Sequence, residues 1–336
     1  MTGVLLIQLG TPDSPSVRDV RKYLSEFLND PRVKDIPYLL RKFLVNIIIV
    51  PFRAPKSAKL YKQLWTDKGS PLLFYSESLK EKVQLELGNN FEVELAMRYQ
   101  SPSIDAVLGR MQMKGYERII ILPLFPQYAS ASSGSAIEKA LKIIKQWWVI
   151  PDLKIISQFY NNEDYINSVV EQGKIYNHEE FDHILFSYHA LPVRQVDKVY
   201  TDGKPCEDHN CETEINQSNQ YCYKAACYAT TRLLAEKLNI PKEKYTVCFQ
   251  SRLDKKWLEP FTDKVIIEHA KKGTKKLLVF SPAFVADCLE TIVEISHDYS
   301  ELFKANGGSH LQLVESLNDH PRWIQTVKNM ILSQIL

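Results

Sequence analysis

No stretch of this 336-residue chain reaches the run of about eighteen apolar residues that a membrane-spanning helix requires, so a transmembrane protein is not expected. Neither charge is in excess. The 42 basic and 40 acidic residues are spread along the chain without a basic block and leave a formal charge of +2, which argues against a nucleic-acid surface. A secreted protein is not expected either, because Met1 runs directly into the strand-like Val4-Leu-Leu-Ile-Gln-Leu9 with no charged region and cleavable apolar segment. The cytoplasm is the expected compartment. No Gly-x-Gly-x-x-Gly opens a helix after a strand and no Walker-type lysine loop occurs, which removes the two commonest nucleotide-binding readings. No internal repeat is visible.

What the chain does contain is alternation. Val4–Leu9 is followed by Ser14-Pro15, an N-cap with proline at the first helical position, and then by the periodic Val17, Val20, Leu24, Phe27 and Leu28. Further strand candidates are Phe91–Tyr99, Arg118–Phe125, Leu153–Phe159, His183–Tyr188, Tyr245–Gln250, Lys276–Ser281 and Leu311–Val314, with helical patterns between most of them. This order predicts an α/β fold of two doubly wound halves, each a mostly parallel four-stranded sheet flanked by helices. The pattern restarts near residue 160. The expected domains are therefore 1–159, joined by the last helix at about 319–336, and 160–318.

One segment is dense in large aliphatics. Ile36 to Arg53 is interrupted by Arg41, Lys42 and Asn46 and contains Pro51 near its end. It reads either as a buried helix or as an amphipathic lip that rests on a bilayer or admits an apolar ligand.

The chemistry concentrates at two strand ends. His189 ends the apolar strand that begins at His183, where an open parallel sheet offers its ligand crevice. A hydrogen-bonded structural histidine is the competing reading. After the strand Lys276–Ser281 comes Asp287-Cys-Leu-Glu290-Thr-Ile-Val-Glu294, in which Asp287 and Glu290 have the spacing of a capping box. Glu290 and Glu294 also lie one helical turn apart on one face. A histidine and a glutamate at the same sheet edge make a proton acceptor beside a cation attractor, which suits metal handling.

These residues occur within a longer set of motifs. Leu6-Ile-Gln-Leu9-Gly-Thr-Pro12, Gly69-Ser-Pro-Leu72, Met97-Arg-Tyr99, Leu122-Pro-Leu-Phe-Pro-Gln-Tyr128 with Ser130 to Gly134, Ser187-Tyr-His189, Phe249-Gln-Ser-Arg252 and Asp287-Cys-Leu-Glu290-Thr follow one another along the chain. Together they resemble the ferrochelatases, enzymes that insert ferrous iron into a porphyrin, over essentially the full length. The resemblance implies two Rossmann-like domains with the active-site cleft between them, a catalytic histidine at His189 and an essential acid at Glu290, both near the substrate iron. It places Arg98, Tyr99, Tyr128, Ser130, Asp287 and Glu294 at the substrate, and makes residues 36–55 a mobile active-site lip. Tyr99 as a core residue is the competing reading. One departure is visible: many members have a histidine where Cys288 stands, so a proton relay through an imidazole there is excluded. Cys288 and Cys248 read as small buried thiols.

Cys206, Cys211, Cys222 and Cys227 crowd into segment 206–227. Two disulfides so close are unusual in a cytoplasmic chain, so the even count points to metal. The spacing lacks the C-x2-C of zinc ribbons, whereas four thiolates suit a [2Fe–2S] cluster. Some bacterial ferrochelatases resemble this chain in carrying one on a short internal segment. Zinc with His209 as a substitute ligand, and incidental thiols, stay open.

The leading expectation is insertion of Fe2+ into protoporphyrin IX to give haem b. Alternatives are a coproporphyrin III ferrochelatase or another tetrapyrrole chelatase, and a noncatalytic iron–sulfur sensor or haem carrier. The expected partners are porphyrin and ferrous iron, with peripheral contact to the inner face of the cytoplasmic membrane through 36–53 and no nucleic acid.

Overall fold

Val4, Leu5, Leu6 and Ile7 have no exposed surface because their strand is covered on both sides by neighbouring strands and on both faces by helices. The computed structural model describes residues 1–335; Leu336, the last residue of the expected terminal helix, lies outside them. The strands among the described residues are β1 (Thr2–Gly10), β2 (Phe91–Tyr99), β3 (Arg118–Pro123), β4 (Asp152–Ile155), β5 (His183–His189), β6 (Tyr245–Gln250), β7 (Lys276–Phe280) and β8 (His310–Leu313). They form two four-stranded sheets of order β2-β1-β3-β4 and β6-β5-β7-β8, with every pairing parallel. The order is the same in both. In such an order the chain reverses direction of growth between the first and third strands, and their carboxyl ends frame the ligand position.

The chain divides into two compact units, 1–125, 130–158 and 318–336 in the first and 126–129 with 159–317 in the second. In the first unit, helices Ile104–Lys114 and Ser135–Ile144 cover the sheet with Val107, Leu108, Met111, Ala136, Ala140 and Ile144. Helix Pro321–Leu332 belongs to this unit too. It lies along helix Pro71–Leu87, where Ser78 and Lys82 bind Asp319 and Lys328 pairs with Glu86. In the second unit, helix Thr262–Lys271 and the segment Leu289–Ala305 cover one face through Val265, Ile266, Ile295 and Phe303.

Two local expectations change. Helix Val17–Leu28 begins two residues later than Ser14-Pro15 suggests, because Ser16 Oγ accepts the Asp19 amide at 3.1 Å while Ser14 donates instead to the Asp19 carboxylate at 2.6 Å. Strand β4 stops at Ile155, since its partner β3 offers register only from Arg118 to Ile121.

The segment expected to form the lip is helical from Tyr38 on, as Tyr38–Phe43, a π-helical turn Leu44–Ile49 and helix Val50–Leu64. Arg41 and Asn46 point inward, while Lys42 is exposed. Arg41 is buried with its guanidinium on the Ile36 carbonyl at 2.9 Å, and Asn46 accepts from Ser25 at 2.7 Å and Asn29 at 3.0 Å. The large apolar residues point outward, with Leu39 79%, Phe52 75% and Ile47 61% exposed. No described helix is long and apolar enough to cross a membrane.

Candidate active site and thiol cluster

Strand β5 delivers His189 to the carboxyl edge of the second sheet, half-buried, with Trp257 at 6.4 Å between ring centroids. Its Nδ1 lies 2.6 Å from the Ala190 carbonyl, a contact that only an N–H at Nδ1 can make. In the neutral ring that bond selects the Nδ1–H tautomer and leaves the Nε2 lone pair available. The backbone carbonyl of His189 accepts from the Tyr223 hydroxyl at 2.9 Å, so the strand end is held from both sides.

Strand β7 pairs with β5 and leads to the other half of the site. The loop after it enters a π-helix, Leu289–Tyr299, which carries Glu290 and Glu294. The expected Asp287–Glu290 capping box does not form. The box is displaced by one residue: the Cys288 sulfur accepts the Thr291 amide, and the Thr291 hydroxyl accepts the Cys288 amide at 2.9 Å. Asp287 accepts from the Thr291 hydroxyl at 3.0 Å, which leaves Glu290 out of the cap.

The three carboxylates therefore differ. Asp287 is buried and committed to Thr291 and to the Ser316 amide. Glu294 accepts from the Ser251 amide at 2.9 Å, the Ser251 hydroxyl, the Tyr299 hydroxyl at 2.8 Å and the Gln250 amide at 3.4 Å. Glu290 is half-buried, and its carboxylate stands beside the Cys288 thiol. Burial, and then the Glu290 charge, push that thiol well above the usual range, so Cys288 stays protonated and donates to Glu290.

Gln250, the last residue of β6, joins the two halves. Its carbonyl oxygen accepts from Ser187 on β5 at 2.6 Å, and its amide nitrogen donates to the Glu290 backbone carbonyl at 3.2 Å. Gln250 is 1% exposed. Gln250, Ser251, Tyr223 and Tyr299 carried no assigned role in the sequence reading. The Phe249-Gln-Ser-Arg252 motif was the available signal for two of them.

In the first unit, Arg98 and Tyr99 close a buried polar network. Arg98 binds Asp30 at 2.6 Å and Ser135 at 2.7 Å, and the Tyr99 hydroxyl donates to the same Asp30 oxygen at 2.9 Å. Tyr99 is fully buried, and burial next to Asp30 raises its phenol far above the usual range. It stands as an anchored core residue. Gly10 permits this packing, because at its φ of +116° a Cβ would lie 2.1 Å from the Tyr99 carbonyl. Arg32, which the sequence reading passed over, ion-pairs with Glu138 and donates to Ser130 at 2.9 Å. Tyr128 belongs to the second unit, half-buried and edge-on to Tyr221 at 5.9 Å.

Three of the four clustered cysteines come together. Cys206 opens a short turn, Cys211 follows Asn210 with its left-handed φ of 50°, and Cys222 is the N-cap of helix Tyr223–Lys237. Their sulfurs lie within 4.8 Å of one another and could hold a metal ion. The Cys206–Cys222 separation is 3.5 Å, and the Tyr200 hydroxyl lies 2.8 Å from the Cys211 sulfur. Hydrogen bonds from Cys206 and Cys222 hold the Cys211 thiol far below its usual range, while the hydrogen bonds with Cys211 and Cys222, and then burial, raise Cys206. Cys227 is outside the group, one turn into the helix, where its thiol is fully buried beside the Tyr223 hydroxyl. His209 also stays outside; it stacks on Tyr200 at 3.8 Å.

Comparison with known proteins bears on the family. A family model described as Ferrochelatase matches residues 1–335. A ferrochelatase of Coxiella burnetii is 44% identical over 330 residues, covering 98% of this chain and 92% of its own, and one of Legionella pneumophila is 45% identical over 334 residues, covering 99% of each. Among solved structures, SirB from Bacillus subtilis with Fe3+ superposes with a TM-score of 0.56 at 12% identity, covering 99% of this chain and 94% of that one. CbiX, the terminal enzyme for siroheme biosynthesis in denitrifying bacteria, superposes at 0.50 with 12% identity and 98% coverage of both chains. The two structures speak for the fold, while the full-length matches settle the family: the chain belongs to the ferrochelatases.

Proposed function

We propose that this chain inserts ferrous iron into protoporphyrin IX, releases the two pyrrole protons and gives haem b. The observation that carries the reading is the fixed tautomer of His189, whose Nδ1 is spent on the Ala190 carbonyl. The opposite nitrogen is then the one left to take a pyrrole proton. Ferrous iron must shed water and meet a nitrogen lone pair on a distorted ring, so the metal needs a hard oxygen donor that can let go. Glu290 fits that task. Asp287 and Glu294 are each held by several donors, whereas among the described residues no backbone amide or hydroxyl donates to the Glu290 carboxylate. Glu290 receives the metal or the departing proton, and Asp287 and Glu294 hold the π-helix that presents it.

Arg98 and Tyr99 act at one remove, by holding Asp30 and Ser135 in place. Tyr128 and Ser130, both half-buried, keep surface for the porphyrin. The outward apolar face of residues 38–52 serves as a peripheral contact with a membrane, from which an apolar porphyrin enters. That face favours the porphyrin with fewer carboxylates, hence protoporphyrin over coproporphyrin.

The [2Fe–2S] reading of segment 206–227 asks for two thiolates on each of two irons. Three converging sulfurs and a separate Cys227 do not fit that division, and no step of the reaction is routed through a cluster.

The test is anaerobic kinetics with ferrous iron and each porphyrin in turn. Haem formation with the higher kcat/KM on protoporphyrin is expected. No metalloporphyrin from either substrate would overturn the assignment, and a preference for coproporphyrin would replace the substrate.

A further inference from the structure

The segment between Thr201 and Cys222 has almost no interior. Its buried side chains are Cys206, Cys211, Asn219 and Cys222, and most of its other residues are exposed. A loop of this length without strands or long helices needs some other source of order. Asn219 supplies part of it: its side chain bonds the His209 and Glu214 carbonyls at 3.3 and 3.1 Å and accepts the Asn216 amide at 2.7 Å. The rest of the interior is sulfur.

The spacing of those sulfurs discriminates between kinds of metal centre. Thiolates about 2.3 Å from a single tetrahedral ion lie about 3.8 Å from each other, whereas ligands on two different irons of a cluster face apart. Here all three lie within 4.8 Å of one another and one pair at 3.5 Å. They surround one point. The Tyr200 hydroxyl also reaches the group, 2.8 Å from the Cys211 sulfur. Cys227, turned toward Tyr223, is not part of that arrangement.

We propose that Cys206, Cys211 and Cys222, with the Tyr200 hydroxyl at the fourth corner, bind one thiophilic divalent ion of the zinc class, and that Cys227 takes no part. The ion is the core of the 201–222 loop and fixes the N-terminus of helix Tyr223–Lys237. It does not enter the porphyrin reaction. Because Tyr223 follows Cys222 directly and bonds the His189 carbonyl, ordering the loop also steadies the strand end.

The experiment uses the full chain purified anaerobically, with metal and acid-labile sulfide measured together, followed by cobalt titration of the metal-free protein. The expected result is one ion per chain, no labile sulfide, and a cobalt spectrum with thiolate charge-transfer bands and tetrahedral visible bands. Cys206→Ser, Cys211→Ser and Cys222→Ser should each lose those bands, and Tyr200→Phe should weaken binding about 10- to 100-fold. Cys227→Ser and Cys227→Ala should keep both stoichiometry and spectrum. Limited proteolysis at Lys204 gives a readout independent of turnover: the ion should protect this site in the parent chain and in both Cys227 variants. Two irons with two labile sulfides per chain, lost in the Cys227 variants, would overturn the proposal in favour of a cluster. Failure of the metal-free chain to bind cobalt through sulfur would overturn it outright.

Discussion

Replacing Gln250 with leucine tests whether the two halves of the site are held together by one amide. The substitution keeps most of the volume and removes a carbonyl oxygen 2.6 Å from Ser187 Oγ and an amide nitrogen 3.2 Å from the Glu290 carbonyl. Ser187 retains Thr262 at 2.9 Å and Glu294 retains Ser251 and Tyr299, so the Glu290 carbonyl is the group left without this donor. The Glu290 carbonyl keeps its place in the π-helical backbone, so the loss is that of two hydrogen bonds at about 1–1.5 kcal/mol each. A total of about 2–3 kcal/mol corresponds to a fall in Tm of roughly 4–12 °C for a unit of this size. Activity should fall further than stability. A displacement of about 1 Å between reacting groups costs up to about 100-fold, so kcat for ferrous iron insertion should drop about 10- to 100-fold with KM little changed. Circular dichroism melts and anaerobic haem-formation rates measure the two effects on one preparation. A lowered Tm with unchanged kcat would show that the amide only packs the core; no change in either would show that the bridge carries no weight.

Three further outcomes are expected. His183 stacks on His269 at 4.1 Å with Nε2 on the Thr246 hydroxyl at 2.9 Å, and burial lowers its pKa to about 4. The unfolded chain binds that proton near 6.5, so the stability is complete above about pH 6.5 and is lost as the pH falls toward 4; after allowance for partial exposure the loss is about 1–2 kcal/mol. Urea midpoints between pH 7 and 4.5 should show it, and His183→Phe should flatten it. Gly173→Ala places a Cβ 2.6 Å from the buried Phe280 ring and should destabilise by about 1–3 kcal/mol in urea titration; a neutral result would mean that the ring yields without cost. Serine at Leu39, Ile47 and Phe52 together should leave the urea midpoint within about 0.5 kcal/mol of the parent and abolish sedimentation with lipid vesicles. Sedimentation equal to the parent's would rule out this face as the contact.

The strands were legible because a parallel sheet covered on both faces demands continuous apolar runs at its centre, as in β1 and β3, while the edge strand β2 keeps an alternating pattern. His189 was legible for the same reason, as a polar residue that ends such a run. The π-helix was not, since i→i+5 bonding leaves no distinct mark in Leu289–Tyr299. The distinction between Glu290 and Glu294 was also hidden. It depends on Ser251, 43 residues away in the chain, whose own φ of 61° is invisible in the sequence. In residues 36–53, the composition told of an apolar segment but not of its direction. Arg41 and Asn46 read as interruptions of a buried face, yet they are the inward groups, because each satisfies backbone or side-chain partners beneath it. The cysteine spacing indicated metal, and the geometry divided three thiols from the fourth.

The most direct test of iron insertion by His189 is the single-turnover rate of haem formation in His189→Ala, compared with the parent at equal Tm and equal porphyrin affinity. The expected result is a fall of about 10²- to 10⁴-fold at neutral pH, the range for loss of a positioned general base, with porphyrin still bound. A variant that binds porphyrin and fills it with iron at the parent rate would contradict the assignment of His189 as the proton acceptor.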